Sequence, residues 1–239
     1  MGQERKIYRS FHDISPREYM YFPKGTIEAS KPGRFSRLEI QHLLISMAVL
    51  TIAFAFVFTN NNIIYGLSYG FNLEILPKGI LLSFFGIFTA FFFHELLHKF
   101  MAQKYGLWSE FRMYPRGLIL SLLFAIFTGF VFSAPGAVMF RGETKKHEIG
   151  RIAIAGPMAN IIISSISYII YRFFLFDTSI GKFFGFIALI NALLGSFNLI
   201  PFGPLDGIKV IRWNGLVWAC LFIYSIVMIV LIFPIAVYI

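Results

Sequence analysis

The chain has 239 residues, 57% of them hydrophobic and 14% charged, with a mean hydropathy of +0.72. That balance, with 30 phenylalanines, excludes an ordinary soluble domain and points to a polytopic membrane protein built as one compact domain. The net charge of +9 falls between apolar segments as a topology signal and not as a nucleic-acid surface, and the single Cys220 rules out an internal disulfide framework and argues against thiolate metal ligation.

Residues 1–37 are polar and basic, with eight Lys/Arg residues, and Pro16, Pro23 and Pro32 prevent a long helix. They read as a solvated cytoplasmic arm beside the membrane. They show no cleavable signal pattern, so the apolar run that follows reads as a signal anchor. Residues 38–59 are long enough to span once, and 60–79 form a turn-rich loop with one lysine. Residues 79–104 form a second span, followed by the polar stretch YGLWSEFRMYPRG. Residues 118–140 are also long enough to cross. Yet Arg112 and Arg116 precede them and Arg141, Lys145 and Lys146 follow, so both flanks favour the same side. Gly129, Pro135 and Gly136 interrupt the run, and it reads as a re-entrant hairpin; a true extra span would invert everything after it. Residues 150–175, 183–200 and 213–239 supply three more spans. The expected fold is an all-α polytopic membrane protein. It has about five to six transmembrane helices and a re-entrant or β-hairpin element between the second and third spans. The arm 1–37 precedes a transmembrane domain 38–239 with a catalytic core at about 79–212.

The charges set the orientation. Segments 1–37, 99–116, 141–151 and 209–212 hold 18 of the 21 Lys/Arg residues, and the other side holds Lys78, Arg172 and Lys182. The N-terminus is therefore expected in the cytoplasm and the C-terminus outside.

The second span carries an HExxH motif, HELLH at 94–98. In a helix, residues four apart share a face, so His94 and His98 can grip one metal ion. Ionisable groups inside a membrane helix are costly, and their presence marks function. A hydrolytic zinc site wants three protein donors and an open position for water. Asp206 is the expected third donor. It lies in a proline-broken segment at the end of the fourth span, at the same depth, where an aspartate without a cation would be costly. Glu39 and His42, at the start of the first span, need only an interfacial position. Zinc lowers the pKa of a coordinated water to roughly 7, and Glu95 is placed to accept its proton and return it to a leaving amine. The side-chain amides of Asn160 and Asn198 are candidates for holding the substrate backbone or a developing oxyanion.

Three motifs in order, HELLH at 94–98, AGPMAN at 155–160 and NLIPFGPLDG at 198–207, resemble the site-2 protease family of intramembrane metalloproteases. The resemblance spans roughly 79–212. It implies zinc held by His94, His98 and Asp206, Glu95 as the base, and transmembrane protein substrates cut within or beside the bilayer, as in regulated intramembrane proteolysis. It maps Asn160 and Asn198 onto substrate-contacting positions and implies that strands between the second and third spans receive extended substrate. Leu97 stands where many members have glycine, and Ile208 where a second glycine is common. No PDZ or CBS domain is visible, as in compact archaeal and bacterial members. A prokaryotic cell membrane is thus the expected location, with membrane lipid and transmembrane proteins as partners and no nucleic acid. Three rival readings are a metal transporter, a membrane zinc protease that faces the cytosol with a glutamate as third ligand, for which no glutamate follows residue 148, and a catalytically dead scaffold. A transport path would need further His, Asp or Glu residues at mid-depth on spans one, three and five, and a scaffold would not retain Glu95 with all three donors.

Overall fold

The computed structural model describes residues 33–131 and 135–236. Most of the 1–37 arm, residues 132–134 of the 118–140 segment and the last three residues thus lie outside the described residues.

Among the described residues, five helical stretches are long and apolar enough to cross a membrane: Arg37–Tyr69, Leu73–Lys104, Lys146–Phe174, Ser179–Leu199 and Gly215–Phe233. They overlap the five runs read as spans, and the first two extend into residues 60–79, where a turn-rich loop was expected and helix is found. With one small two-stranded sheet, they make the chain an all-α polytopic membrane protein.

Helix α1 (Arg37–Phe58) starts where the Ser36 hydroxyl accepts the Glu39 N–H at 3.1 Å. Asn62 caps the short α2 (Ile63–Tyr69), and Pro77 opens α3 (Leu76–Ile87) at a position where a missing N–H costs nothing. A π turn, Phe88–Phe92, joins α3 to α4 (Phe93–Lys104), the helix of the HExxH motif. Helix α6 (Lys146–Ile169) contains Pro157, and Thr178 caps α7 (Ser179–Leu199). Two proline-rich turns later come α8 (Asp206–Trp213) and α9 (Gly215–Ala236).

Helix α7 is the centre of the bundle, packed on α3, α6 and α9 and largely buried. Helix α9 is mostly unburied and faces outward, as a lipid-facing span requires. The main core joins Leu43, Leu50 and Phe54 of α1 to Ile87, Phe91, Phe186 and Ile190.

The segment between the second and third spans differs from the expected hairpin in its parts. Strand β1 (Trp108–Met113) lies in the stretch read as polar loop, and residues 118–140 supply only its partner, β2 (Gly136–Arg141). The two pair antiparallel, from Trp108 opposite Arg141 to Met113 opposite Gly136. Between them runs α5 (Pro115–Thr128), a helix where sequence reading expected a hairpin arm. Its 14 residues measure about 21 Å, short of a hydrocarbon core of about 30 Å. It packs along α1, and Gly129, in the left-handed conformation with φ of 73°, ends it against Asn62. Because Met113 and Gly136 are paired, the chain leaves and re-enters this region at one level. The element is re-entrant.

Candidate metal centre

His94 and His98 lie one turn apart on the buried face of α4, which packs against α6. Their Nε2 atoms are 3.0 Å from each other. The Asp206 Oδ2 atom sits 3.2 Å from His94 Nε2 and 2.9 Å from His98 Nε2. One donor atom from each residue falls within 4.8 Å of the others, and all three side chains are buried. These are the three residues that sequence reading brought together.

The distal ring nitrogens fix how the rings are used. His94 Nδ1 meets Asn160 Oδ1 at 2.6 Å, and His98 Nδ1 meets the Ile152 carbonyl at 2.7 Å. Both partners are acceptors, so both Nδ1 atoms carry the proton and both Nε2 atoms present lone pairs. Two lone pairs and a carboxylate oxygen then converge on one point, which only a proton or a metal ion can balance. Space for the ion comes from Gly156. A Cβ at that position would overlap the Nε2 atoms of both His98 and His94. The donor set and this recess fit a zinc ion.

Asp206 is delivered by the end of α7. The chain breaks at Leu199, turns through Pro201 and Pro204, and α8 begins at Asp206, where the helix dipole favours a negative charge. Gly207 is required here, because a Cβ would collide with the Leu199 and Ile200 carbonyl oxygens. Trp218 of α9 donates to the Leu199 carbonyl at 2.7 Å and holds the same turn. Burial pushes the Asp206 carboxyl up. The Lys209 ammonium beside it acts in the opposite sense and favours the carboxylate. Its second oxygen, Oδ1, accepts from Lys209 Nζ at 3.0 Å.

Glu95 is buried beside the pair of histidines, and its Oε2 atom has no partner among the described residues. Its carboxylate meets the backbone of Val138 in β2. The sheet geometry agrees. The Phe111 N–H donates to Glu39 Oε1 at 3.0 Å, so it points away from β2. Its cross-strand partner Val138 must then point its own backbone groups away from β1, toward α4.

Asn160 is fully buried with its amide occupied inside the protein. Its oxygen faces His94, and its Nδ2 donates to the Ala90 carbonyl at 2.7 Å and to Asn191 Oδ1 at 3.1 Å. In this structure Asn160 supports the His94 ring. Asn198 is half-buried and donates to the Leu194 carbonyl of its own helix at 3.0 Å. Sequence reading missed Lys209 and Asn191. Lys209 was open to discovery, since it sits three residues after Asp206 on the same helix face. Glu39, taken as an interfacial residue, is instead fully buried and paired with Lys99 at 2.5 Å.

No family model matches the chain, and no solved structure matches it. Curated relatives do. "Putative zinc metalloprotease MJ0611" of Methanocaldococcus jannaschii is 38% identical over 188 residues, covering 78% of this chain and 90% of the relative. "Zinc metalloprotease MJ0392" of the same organism is 31% identical over 126 residues, 53% of this chain and 32% of that protein. "Putative zinc metalloprotease YwhC" of Bacillus subtilis is 30% identical over 147 residues, 53% of this chain and 65% of its own length. The likeness to the first relative runs almost the whole length of that protein, and the two histidines and the aspartate converge as a zinc site demands: this chain belongs to the zinc metalloproteases, and zinc is its cofactor.

Proposed function

We propose that this chain is an intramembrane zinc metalloprotease of the site-2 protease type, cutting peptide bonds of transmembrane protein substrates. The observation that carries the reading is the meeting of Asp206 with an HExxH motif that lies on a membrane-span helix. A soluble-type metalloprotease has no reason to hold its hydrolytic groups in such a helix, where each ionisable side chain is costly.

His94 Nε2, His98 Nε2 and Asp206 Oδ2 would hold the metal. Zinc, when bound, lowers the pKa of a water to about 7 and polarises a carbonyl oxygen. Glu95 takes a proton from the attacking water at its unpartnered Oε2 and returns it to the leaving amine. Asn160 and the Ile152 carbonyl keep both rings in the tautomer that donates through Nε2. Asn198, half-buried at the end of α7, contacts the substrate. The edge of β2 at Val138, beside Glu95, suits an extended peptide: its outward backbone groups can pair with an unwound substrate and bring a carbonyl to the base.

The arm 1–37 lies in the cytoplasm of a prokaryotic cell, residues 38–239 form the protease domain, and lipid and single-span proteins are the partners. The charge bias of 18 Lys/Arg residues on one side supports this orientation. The test is cleavage of a panel of single-span proteins by the purified chain in detergent, with and without a chelator. Glu95→Ala is expected to keep its zinc and lose cleavage. Chelator-resistant cleavage, or cleavage by Glu95→Ala, would overturn the proposal.

A further inference from the structure

We infer that the buried Glu39–Lys99 pair is a positioning latch that fixes the β1–β2 sheet against the helix carrying Glu95. The inference rests on the reading above that the sheet receives substrate. Glu39 is fully buried and uses both carboxylate oxygens on different elements. Oε2 pairs with Lys99 Nζ on α4 at 2.5 Å, and Oε1 accepts the Phe111 N–H of β1 at 3.0 Å. Lys99 is equally buried and also donates to the Arg34 carbonyl at 3.1 Å. One side chain thus ties α1, α4 and β1 together.

Its place on α4 gives the tie a consequence. Lys99 follows Glu95 by four residues, so the two share the helix face turned toward the sheet, while His94 and His98 occupy the metal face. Glu39, Glu95, Lys99, Phe111 and Val138 line one void of about 10 Å³. Glu39 also fills the outer side of β1 at Phe111, and His42 Nδ1 approaches the Met113 N–H of the same side at 3.5 Å. Helix α1 therefore covers the β1 edge, and the outward backbone of β2 at Val138 is the edge that meets Glu95. A shift of the latch moves that edge relative to the base. Misplacing reacting groups by about 1 Å can cost about 100-fold in rate.

The experiment uses the full chain loaded with zinc in detergent, as Glu39→Gln, as Lys99→Met, and as the double variant, which leaves no unpaired charge. Expected are unchanged zinc content in all three, kcat on a single-span substrate lowered about 10- to 100-fold, and KM within a few-fold of wild type. The double variant should regain the wild-type melting temperature without regaining kcat, which a pair serving stability alone would not do. Hydrogen exchange decides the latch independently of cleavage. Peptides covering 107–113 and 136–141 should exchange at least about tenfold faster in Glu39→Gln than in wild type. Unchanged exchange in those strands, or a double variant with wild-type kcat, overturns the latch. A wild-type chain that cleaves nothing overturns the protease reading alone, and the exchange result still decides the latch.

Discussion

Gly156→Ala is the sharpest test of the metal recess, because it adds one methyl group and removes nothing. The added Cβ would lie 2.6 Å from His94 Nε2, with His98 Nε2 closer still. Ordinary contact between such atoms begins at about 3.5 Å, so each ring must retreat by about 1 Å or α6 must move outward by as much. A zinc site tolerates deviations of about 0.2 Å in its donor distances. The required shift exceeds that several-fold, and α4 and α6 are too closely packed to open freely. Overpacking of this kind costs about 1–3 kcal/mol. Charged wholly to the metal-bound geometry, that becomes a loss of about 5- to 150-fold in zinc affinity at 1.4 kcal/mol per tenfold. The assay is zinc content by mass spectrometry after dialysis against a graded chelator, with a melting curve of the metal-free protein as the control for folding. The metal-free variant is expected to unfold cooperatively, at a temperature lowered only by the part of the overpacking cost that the unligated rings cannot relax. Wild-type zinc affinity in Gly156→Ala would refute the placement of the ion between the two Nε2 atoms and Gly156.

Asp206→Ala should lower bound zinc below that of every other single variant, and unchanged metal content would remove Asp206 from the donor set. Asn160→Ala should weaken zinc binding by about 10- to 100-fold, the usual effect of removing a partner from a metal-binding ring, measured by the same chelator titration. Lys209→Met removes the cation from Asp206 Oδ1 and frees the carboxylate to turn; zinc affinity should change by at least about threefold, and an unaltered titration would show that Lys209 plays no part in orienting Asp206.

The sequence made the meeting of His94, His98 and Asp206 legible because three constraints coincided. HELLH fixed a helix face, the membrane made each ionisable group expensive, and Asp206 stood in a segment that prolines would not let remain helical. The five spans were legible for the same reason, since length and apolarity are one-dimensional properties. Strand β1 was not. WSEFRM carries Glu110 and Arg112, which read as exposed polarity, yet both are buried and paired with each other. Charge that is satisfied by a neighbour looks identical in sequence to charge that is solvated. Asn160 is a similar case. Its residue type announced a polar partner inside the bundle, and only the geometry says that the partner is His94. The π turn at Phe88–Phe92 left no signature in its phenylalanine-rich sequence, although it precedes the HExxH turn and supplies the Ala90 carbonyl that Asn160 uses.

The contact between α4 and α8 also counts the membrane crossings. His98 stands near the end of the second span, and Asp206 follows the fourth. Two spans, Lys146–Phe174 and Ser179–Leu199, lie between them, so the chain leaves the level of His98 and returns to it. If the 118–140 segment were a further crossing, the number between would be odd. Asp206 would then arrive at the opposite face, roughly a hydrocarbon thickness of about 30 Å from the rings. The observed separations are 2.9 and 3.2 Å. The pairing of Met113 with Gly136 gives the same answer from the other end, because a strand pair cannot be closed across a bilayer. Re-entry of this segment and convergence of the three donors are thus one topological fact. It explains why Arg112, Arg116, Arg141 and Lys145 can flank an apolar stretch on the same side without contradiction. A cysteine placed at Trp108 and another at Gly142 should accordingly react with an impermeant thiol reagent from the same side of sealed vesicles, and labelling from opposite sides would break both conclusions together.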